Sequence, residues 1–176
     1  MSDEITMKLG ITIPLKSKAV SKDWSVTSAA LRRTLRSVLN CADDDVEIVC
    51  AVAGHERPDF LGDAEFKDIL FVAVDFDIPQ AGADGYVHSD FIFDKNMKAC
   101  AGMSGLLASQ AVDFWFQLDA DDLLHRDFAK SLRVLPGSNG AVLDGGHRVI
   151  VGDEIERGIV LILKIDELPN RAEIVA

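Results

Sequence analysis

Three carboxylates follow directly on one alternating stretch of the sequence. Apolar side chains occupy every second position over residues 112–118, which is the pattern of a β-strand with unlike faces. The chain then continues into Asp119, Asp121 and Asp122. Two carboxylates about 4 Å apart repel each other by roughly 4 kcal/mol at an effective dielectric constant of about 20. Because a divalent cation reverses the sign of that energy, the spacing favours a metal or substrate site over a solvated turn in which Asp122 caps the next helix.

The other chemistry-bearing residue types offer no competing site. The sequence contains no G-x-G-x-x-G or Walker A phosphate loop and no G-x-S-x-G nucleophile elbow. Its histidines do not stand at zinc-ligand spacings, and its cysteines are predicted to be reduced, mostly buried thiols: Cys41, Cys50 and Cys100. Carboxylates suit Mg²⁺ or Mn²⁺, which commonly bind through one or two carboxylates together with the phosphates of a substrate.

The composition is that of an ordinary globular domain, with 176 residues, 48% of them hydrophobic and 27% charged. We therefore expect one domain over residues 1–176. The formal net charge of −11 argues against nonspecific binding to nucleic acid or to an anionic membrane. No apolar run approaches the roughly 18 residues that span a bilayer, and the acidic N-terminus lacks a signal-peptide core. We predict a cytoplasmic protein without an integral membrane segment.

Alternating apolar runs and amphipathic segments predict the elements that would position the carboxylates. Strands are expected over residues 11–15, 46–53, 69–74 and 112–118. A first helix from about Ser25 would turn four residues towards the core: Leu31, Leu35, Val38 and Leu39. Asp94 is predicted to cap a second helix, whose core face would carry Met97, Cys100, Ala101, Ser104, Leu107 and Ala108. A short third helix would bury Leu124, Phe128 and Leu132.

The C-terminal part has a different pattern. Short apolar runs at residues 141–143, 149–151 and 159–163 are separated by glycines, which predicts antiparallel strands. The whole succession predicts an α/β fold: a Rossmann-like, mainly parallel sheet with flanking helices and a partly antiparallel C-terminal region. Ligands of such sheets bind at the carboxyl ends of the strands.

Several of these segments together resemble a family 2 glycosyltransferase of GT-A fold. The resemblance covers about residues 9–135 and is carried by Ile11-Thr12-Ile13-Pro14, the strand over 46–52, Asp94-Lys95-x-x-Lys98-x-x-x-Gly102, and Phe116-Gln117-Leu118-Asp119-Ala120-Asp121-Asp122. It implies a glycosyltransferase that binds a nucleotide-diphosphate sugar through Mn²⁺ or Mg²⁺ at an Asp-x-Asp motif. The sugar would pass to an acceptor that the resemblance does not identify.

The resemblance implies roles for residues after the first two strands. Pro14, Leu15 and Lys16 would border the nucleotide. Glu56, with His55 as the weaker alternative, would stand for the family's acidic residue near the base. The family's usual Asp-Asp-Gly-Ser type of sequence is absent there, which departs from the pattern.

The same resemblance implies roles for residues around the Asp-x-Asp motif. Asp94 and Lys98 would lie near the base or the diphosphate. Asp119 would reach the ribose or the metal, and Asp121 would ligate the metal. No residue can be assigned as the catalytic base, because the family's acceptor-binding half would lie largely beyond this chain.

Two other functions stay open. The chain is alternatively a noncatalytic nucleotide-sugar-binding or interaction protein derived from a glycosyltransferase. A phosphatase of the haloacid-dehalogenase type also uses Asp-x-Asp after a strand. Its pair normally follows the first strand and has Thr or Val two residues on, whereas here Leu123 follows Asp122.

A sheet without an acceptor half would need its apolar surface covered. The strands near 141–143 and 159–163 would either cover it or pair with a second copy of the chain across a two-fold axis. The homodimer is slightly favoured, because the run at 159–163 is a strong strand that needs a partner.

Overall fold

A six-stranded sheet is the centre of the computed structural model, which describes residues 7–41, 43–79, 88–132, 140–147 and 157–164. The strands are β1 (Met7–Pro14), β2 (Val46–Gly54), β3 (Leu70–Ala73), β4 (Phe114–Gln117), β5 (Gly140–His147) and β6 (Arg157–Lys164). Their order across the sheet is β3-β2-β1-β4-β6-β5. β1 pairs in parallel with β2 and β4, and β2 pairs in parallel with β3. β6 is antiparallel to both β4 and β5.

This topology confirms the predicted fold class, a mainly parallel sheet with an antiparallel C-terminal region. The run at 159–163 lies in β6, between β4 and β5, and therefore has a strand partner on each side. This strand therefore does not need a second copy of the chain as its pairing partner. The homodimer itself stays a prediction. The predicted strand at 149–151 falls outside the described residues.

The first helix, α1 (Trp24–Leu39), begins close to where the sequence predicts. Asp23 is its N-cap, and the carboxylate accepts hydrogen bonds from the backbone N–H of Ser25 at 2.8 Å and of Val26 at 3.3 Å. The core stripe is confirmed at Leu31, Leu35 and Val38, which are buried. The prediction is wrong for Leu39, which is 41% exposed on the last turn of the helix.

The second helix, α2 (His88–Ser109), begins earlier than predicted, so Asp94 lies inside the helix and is not its N-cap. The predicted core face is also wrong, since Met97 is 37% exposed. The buried positions are instead one lysine and a set of small or flexible residues: Lys98, Ala99, Gly102, Met103 and Leu106. A single short turn, α3 (Phe128–Ser131), replaces the longer third helix expected from Leu124.

Hydrophobic clusters lie on both faces of the parallel strands. On one face, Leu9, Ile11 and Ile13 of β1 belong to the same buried cluster as Leu31 and Leu35 of α1. The opposite face of the sheet packs against α2. Within the described residues, no helix is both long and apolar enough to cross a lipid bilayer.

Glycines let α2 lie close to the sheet. A Cβ atom on Gly102 would stand 3.3 Å from Cβ and Cγ2 of Thr12, and one on Gly105 would stand 2.6 Å from Cγ2 of Val72. The second distance is shorter than any ordinary contact, so a larger residue there would push the helix away. This close approach sets the distance between α2 and the sheet.

Candidate functional site

A cleft of about 660 Å³ opens at the carboxyl ends of β1 and β4, with side chains of α1 and α2 in its walls. It is lined by Pro14, Leu15, Lys16, Val20, Val26, Thr27, Ala30, Phe91, Asp94, Lys95, Asp119, Ala120 and Asp121. Six of the eight residues predicted for the nucleotide or metal site are in this lining; Glu56 and Lys98 are not. The position agrees with the rule that ligands of parallel sheets bind beyond the carboxyl ends of the strands.

The carboxylates after β4 stand on a tight turn. The backbone N–H of Asp122 donates to the carbonyl of Asp119 at 3.1 Å, and the hydroxyl of Thr34 on α1 donates to the carbonyl of Ala120 at 2.9 Å. Thr34 is fully buried, so this bond ties the turn to the protein interior. The turn therefore presents Asp119 and Asp121 to the cleft from a fixed backbone.

A lysine of α2 reaches across to this turn. The Nζ atom of Lys95 lies 2.6 Å from Oδ1 and 2.7 Å from Oδ2 of Asp119. The two side chains are 40% and 41% exposed, so the ion pair lies at the mouth of the cleft and in contact with solvent. Both oxygens of one predicted ligand are thus engaged by a cation of the chain itself.

A second lysine of α2 forms a buried ion pair one turn further on. Lys98 is 1% exposed and its Nζ atom lies 2.7 Å from Oδ2 of Asp94, whose side chain is 13% exposed. The other carboxylate oxygen, Oδ1, is also buried and has no hydrogen-bond partner within the described residues. Asp94 lines the cleft, whereas Lys98 does not line it and pairs with Asp94 from the protein interior.

The segment after β1 forms the opposite wall. The backbone N–H of Leu15 donates to the carbonyl of Ala53 on β2 at 2.8 Å, and the Leu15 side chain is buried. A Cβ on Gly54 would lie 3.1 Å from Cβ of Leu15, so a glycine at this position gives Leu15 room. Pro14 and Leu15 are held in place, and Lys16 is exposed at the rim.

Glu56 holds the neighbouring loop. Its carboxylate accepts hydrogen bonds from the Ser17 hydroxyl at 3.1 and 3.2 Å and from the backbone N–H of Lys18 at 3.0 Å. Ser17 in turn accepts from the N–H of Ala19 and caps a short 3₁₀ helix at Lys18–Val20. A contact between Glu56 and a nucleotide base stays a prediction.

His55 lies at a different concavity. It lines a second depression of about 640 Å³ beyond β2 and β3, together with residues 75–78. Its Nε2 atom is 2.8 Å from the carbonyl oxygen of Phe76, and the two rings meet edge to face. The weaker alternative, that His55 lies near the nucleotide base, also stays a prediction.

The donor set at the turn suits a divalent cation that is shared with a substrate. Within the described residues, no group of three or more His, Cys, Asp or Glu side chains is placed to hold a metal ion. Mg²⁺ and Mn²⁺ need only one or two carboxylates when phosphates complete the coordination. Asp121 is exposed in the cleft, and no described residue donates a hydrogen bond to its carboxylate. Asp121 therefore fits a cation that binds together with a diphosphate, whereas Asp119 would serve that cation only once Lys95 leaves its oxygens.

Several lining residues carried little signal in the sequence. Val26 is 61% exposed and lies in the cleft. The hint in the sequence was that this apolar residue does not belong to the core stripe of α1. Phe91 lies before Asp94, where the sequence predicted that the second helix begins, so it was not assigned to that helix. Lys95 was visible beside Asp94, but nothing in the sequence paired it with Asp119.

The burial of the cysteines agrees with the prediction of mostly buried thiols. All three are free; Cys41 and Cys50 are buried, and Cys100 is partly buried. Burial raises the pKa of the Cys50 thiol to about 12 and also raises the pKa of Cys41. Both thiols therefore stay protonated at neutral pH and offer no nucleophile.

Comparison with solved structures supports the fold. The chain is similar to residues 1–349 of S. aureus TarS, with a TM-score of 0.51 and 13% identity, and to the same protein in complex with UDP, with a TM-score of 0.52 and 13% identity. Each alignment covers 85% of this chain and 38% of the solved TarS chain, so this chain spans less than half of that chain's length. No family model matches the sequence, and no curated protein is significantly similar to it. Together with the strand order, the likeness identifies a GT-A-like fold.

Proposed function

We propose that the cleft binds the nucleotide diphosphate of a sugar donor and that the chain is a metal-dependent glycosyltransferase similar to family 2. The observation that carries the proposal is the convergence of charged residues from three separate segments in one cleft. Lys16 follows β1, Asp94 and Lys95 come from α2, and the Asp-x-Asp carboxylates follow β4. The solved complex of TarS with UDP is consistent with nucleotide binding by this fold.

The chain's own side chains divide the work of binding in this proposal. Pro14 and Leu15 form a rigid wall against which a nucleotide packs, and Lys16 at the rim attracts the diphosphate. Asp94, held by Lys98, offers its unpaired carboxylate oxygen to a hydroxyl of the donor. A buried acceptor without a partner is unfavourable, so a ligand hydroxyl there would be bound selectively.

Asp121, assisted by Asp119, would hold Mn²⁺ or Mg²⁺. A bound cation stabilises negative charge on a leaving diphosphate, which is the Lewis-acid role of such ions. The alternative of a haloacid-dehalogenase phosphatase is disfavoured, because the Asp-x-Asp pair follows the fourth strand of the chain and not the first.

A calorimetric titration with UDP, repeated with the other nucleoside diphosphates, tests the proposal with and without Mn²⁺. We expect tighter binding in Mn²⁺, and the Asp121→Asn variant should lose about tenfold or more of this metal-dependent gain. The control is Asp68→Asn, which removes an exposed carboxylate just before β3, at the opposite end of the sheet. The absence of nucleotide binding by the wild-type protein, or an unchanged metal effect in Asp121→Asn, would overturn the proposal.

Turnover then separates a transferase from a noncatalytic binding protein. Release of the nucleoside diphosphate from a sugar donor, followed over time in Mn²⁺, would establish an active enzyme. Binding that is never followed by release of product, with any donor or acceptor offered, would make the chain a nucleotide-sugar-binding protein.

A further inference from the structure

The proposed metal ligand Asp119 already has a cationic partner. Both of its oxygens lie within 2.7 Å of the Lys95 ammonium, which leaves no unshared oxygen facing a metal ion. The pair joins α2 to the turn after β4, at the mouth of the cleft. For Asp119 to serve a metal, Lys95 must share or leave this carboxylate.

Exposure makes Lys95 the lysine that can move. About two fifths of each side chain in the pair contacts water, so separating the two charges leaves neither one buried. Exposed ion pairs contribute little to stability, since solvent screens the attraction. Lys98 differs, because it is 1% exposed and would leave Asp94 as a buried, unpaired charge if it turned away.

The balance of charges in the cleft is a second reason to expect Lys95 to leave Asp119. Two of its three carboxylates, Asp94 and Asp119, are paired with lysines, which leaves Asp121 and Lys16 as charged groups of opposite sign. A diphosphate brings at least two negative charges into this nearly neutral site. Besides Lys16 at the rim, the Lys95 ammonium is a positive group that can be supplied without unpairing a buried charge.

We infer that Lys95 is a phosphate-binding residue that exchanges Asp119 for the diphosphate when a nucleoside diphosphate enters the cleft. The same movement frees Asp119 for the divalent cation. This inference rests on the proposed function and adds an order of preference: the cation binds poorly to the free protein, and the nucleotide prepares its site. By linkage, each ligand then strengthens the binding of the other by the same factor.

Two binding measurements on Lys95→Met test the exchange. Binding of UDP in EDTA should weaken by about tenfold, because a charged hydrogen bond to the phosphates is lost. Binding of Mn²⁺ without nucleotide, followed by the electron paramagnetic resonance signal of the free ion, should strengthen severalfold, because Asp119 is released. The Lys95→Arg variant keeps the charge and should bind UDP in EDTA within about threefold of the wild type.

Lys8→Met is the matched control. Lys8 forms an ion pair of 3.0 Å with Glu47, with exposures of 26% and 49%, at the amino end of β1 and away from the cleft. It should leave both affinities unchanged. Thermal unfolding of each variant confirms that the chain is folded.

The outcomes separate the two claims. If the wild-type protein binds UDP in Mn²⁺ but Lys95→Met matches it in both measurements, the exchange is wrong and the proposed function stands. The exchange is also wrong if Lys95→Met weakens Mn²⁺ binding in the absence of nucleotide. If the wild-type protein binds no nucleoside diphosphate under any condition, the proposed function fails first.

Discussion

Two ion pairs one helical turn apart on α2 have almost the same length and opposite surroundings. Lys98–Asp94 measures 2.7 Å and is nearly inaccessible, whereas Lys95–Asp119 measures 2.6 Å and is about two fifths exposed. Distance alone would rank them as equals. Burial assigns the first pair to the framework of the cleft and leaves the second free to exchange partners with a ligand.

The largest expected effect contrasts the stability of two lysine variants. Lys98→Met leaves the Asp94 carboxylate buried without its cation, and should lower the free energy of unfolding by about 3–5 kcal/mol. Lys95→Met breaks a solvated pair and should cost less than about 1 kcal/mol. Urea unfolding followed by circular dichroism measures both values.

A double variant checks the physical reason for that contrast. Replacing both members of the buried pair, as Asp94→Leu with Lys98→Met, removes the unpaired charge and should recover part of the lost stability. An equal loss in the free energy of unfolding for the two single lysine variants would mean that burial does not distinguish the two ion pairs.

A smaller effect is expected at a third ion-pair cluster, whose residues do not line the cleft. Hydrogen bonds from Arg36 and Arg32 hold the pKa of the Glu65 carboxyl below its ordinary value of 4.5. Because the folded-state pKa is the lower one, the stabilisation is fully present above pH 4.5 and is lost as the pH falls through the lowered pKa.

The comparison of Glu65→Gln with the wild type tests this sign. The difference in their urea midpoints should be constant from about pH 6 to 7 and should shrink at about pH 4 and below. These pairs are screened by solvent, so we expect a modest difference that high salt reduces. A difference that grows on acidification would contradict the assignment.

The fold followed from the sequence because its signals are local and strong. The apolar strand at residues 46–53, the stripe through Leu31 and Leu35, and the alternation before Asp119 each report a surface that must be buried. Their order along the chain then limits the sheet to a mainly parallel one. The structure confirms each of these elements to within a few residues.

The second helix was harder to predict for a physical reason. Its buried face carries Gly102 and a paired lysine, which hydropathy does not register as core. Its first turns carry Phe93, which is 67% exposed, so the apolar residues there do not follow the core stripe. The apparent cap at Asp94 was instead an i,i+4 partner of Lys98.

The cleft could be predicted in part. The Asp-x-Asp carboxylates were identified because they follow a strand, and ligands of parallel sheets bind at the carboxyl ends of the strands. The Pro14–Lys16 segment was assigned from the resemblance to family 2 glycosyltransferases. The pairing of Lys95 with Asp119 could not be, since it depends on how α2 and β4 are placed relative to each other. Side-chain partners between distant segments are set by tertiary packing.

The central claim, that the cleft binds a nucleotide diphosphate with a divalent cation, is tested most directly by crystals grown with UDP and Mn²⁺. Anomalous scattering locates Mn²⁺ without reference to any interpretation of the ligand density. We predict one Mn²⁺ peak within coordination distance of Asp121 and the diphosphate, with the uridine beyond Pro14 and Leu15 and the Lys95 ammonium on the phosphates. A nucleotide bound outside this cleft, or a cation held without Asp121, would contradict the account.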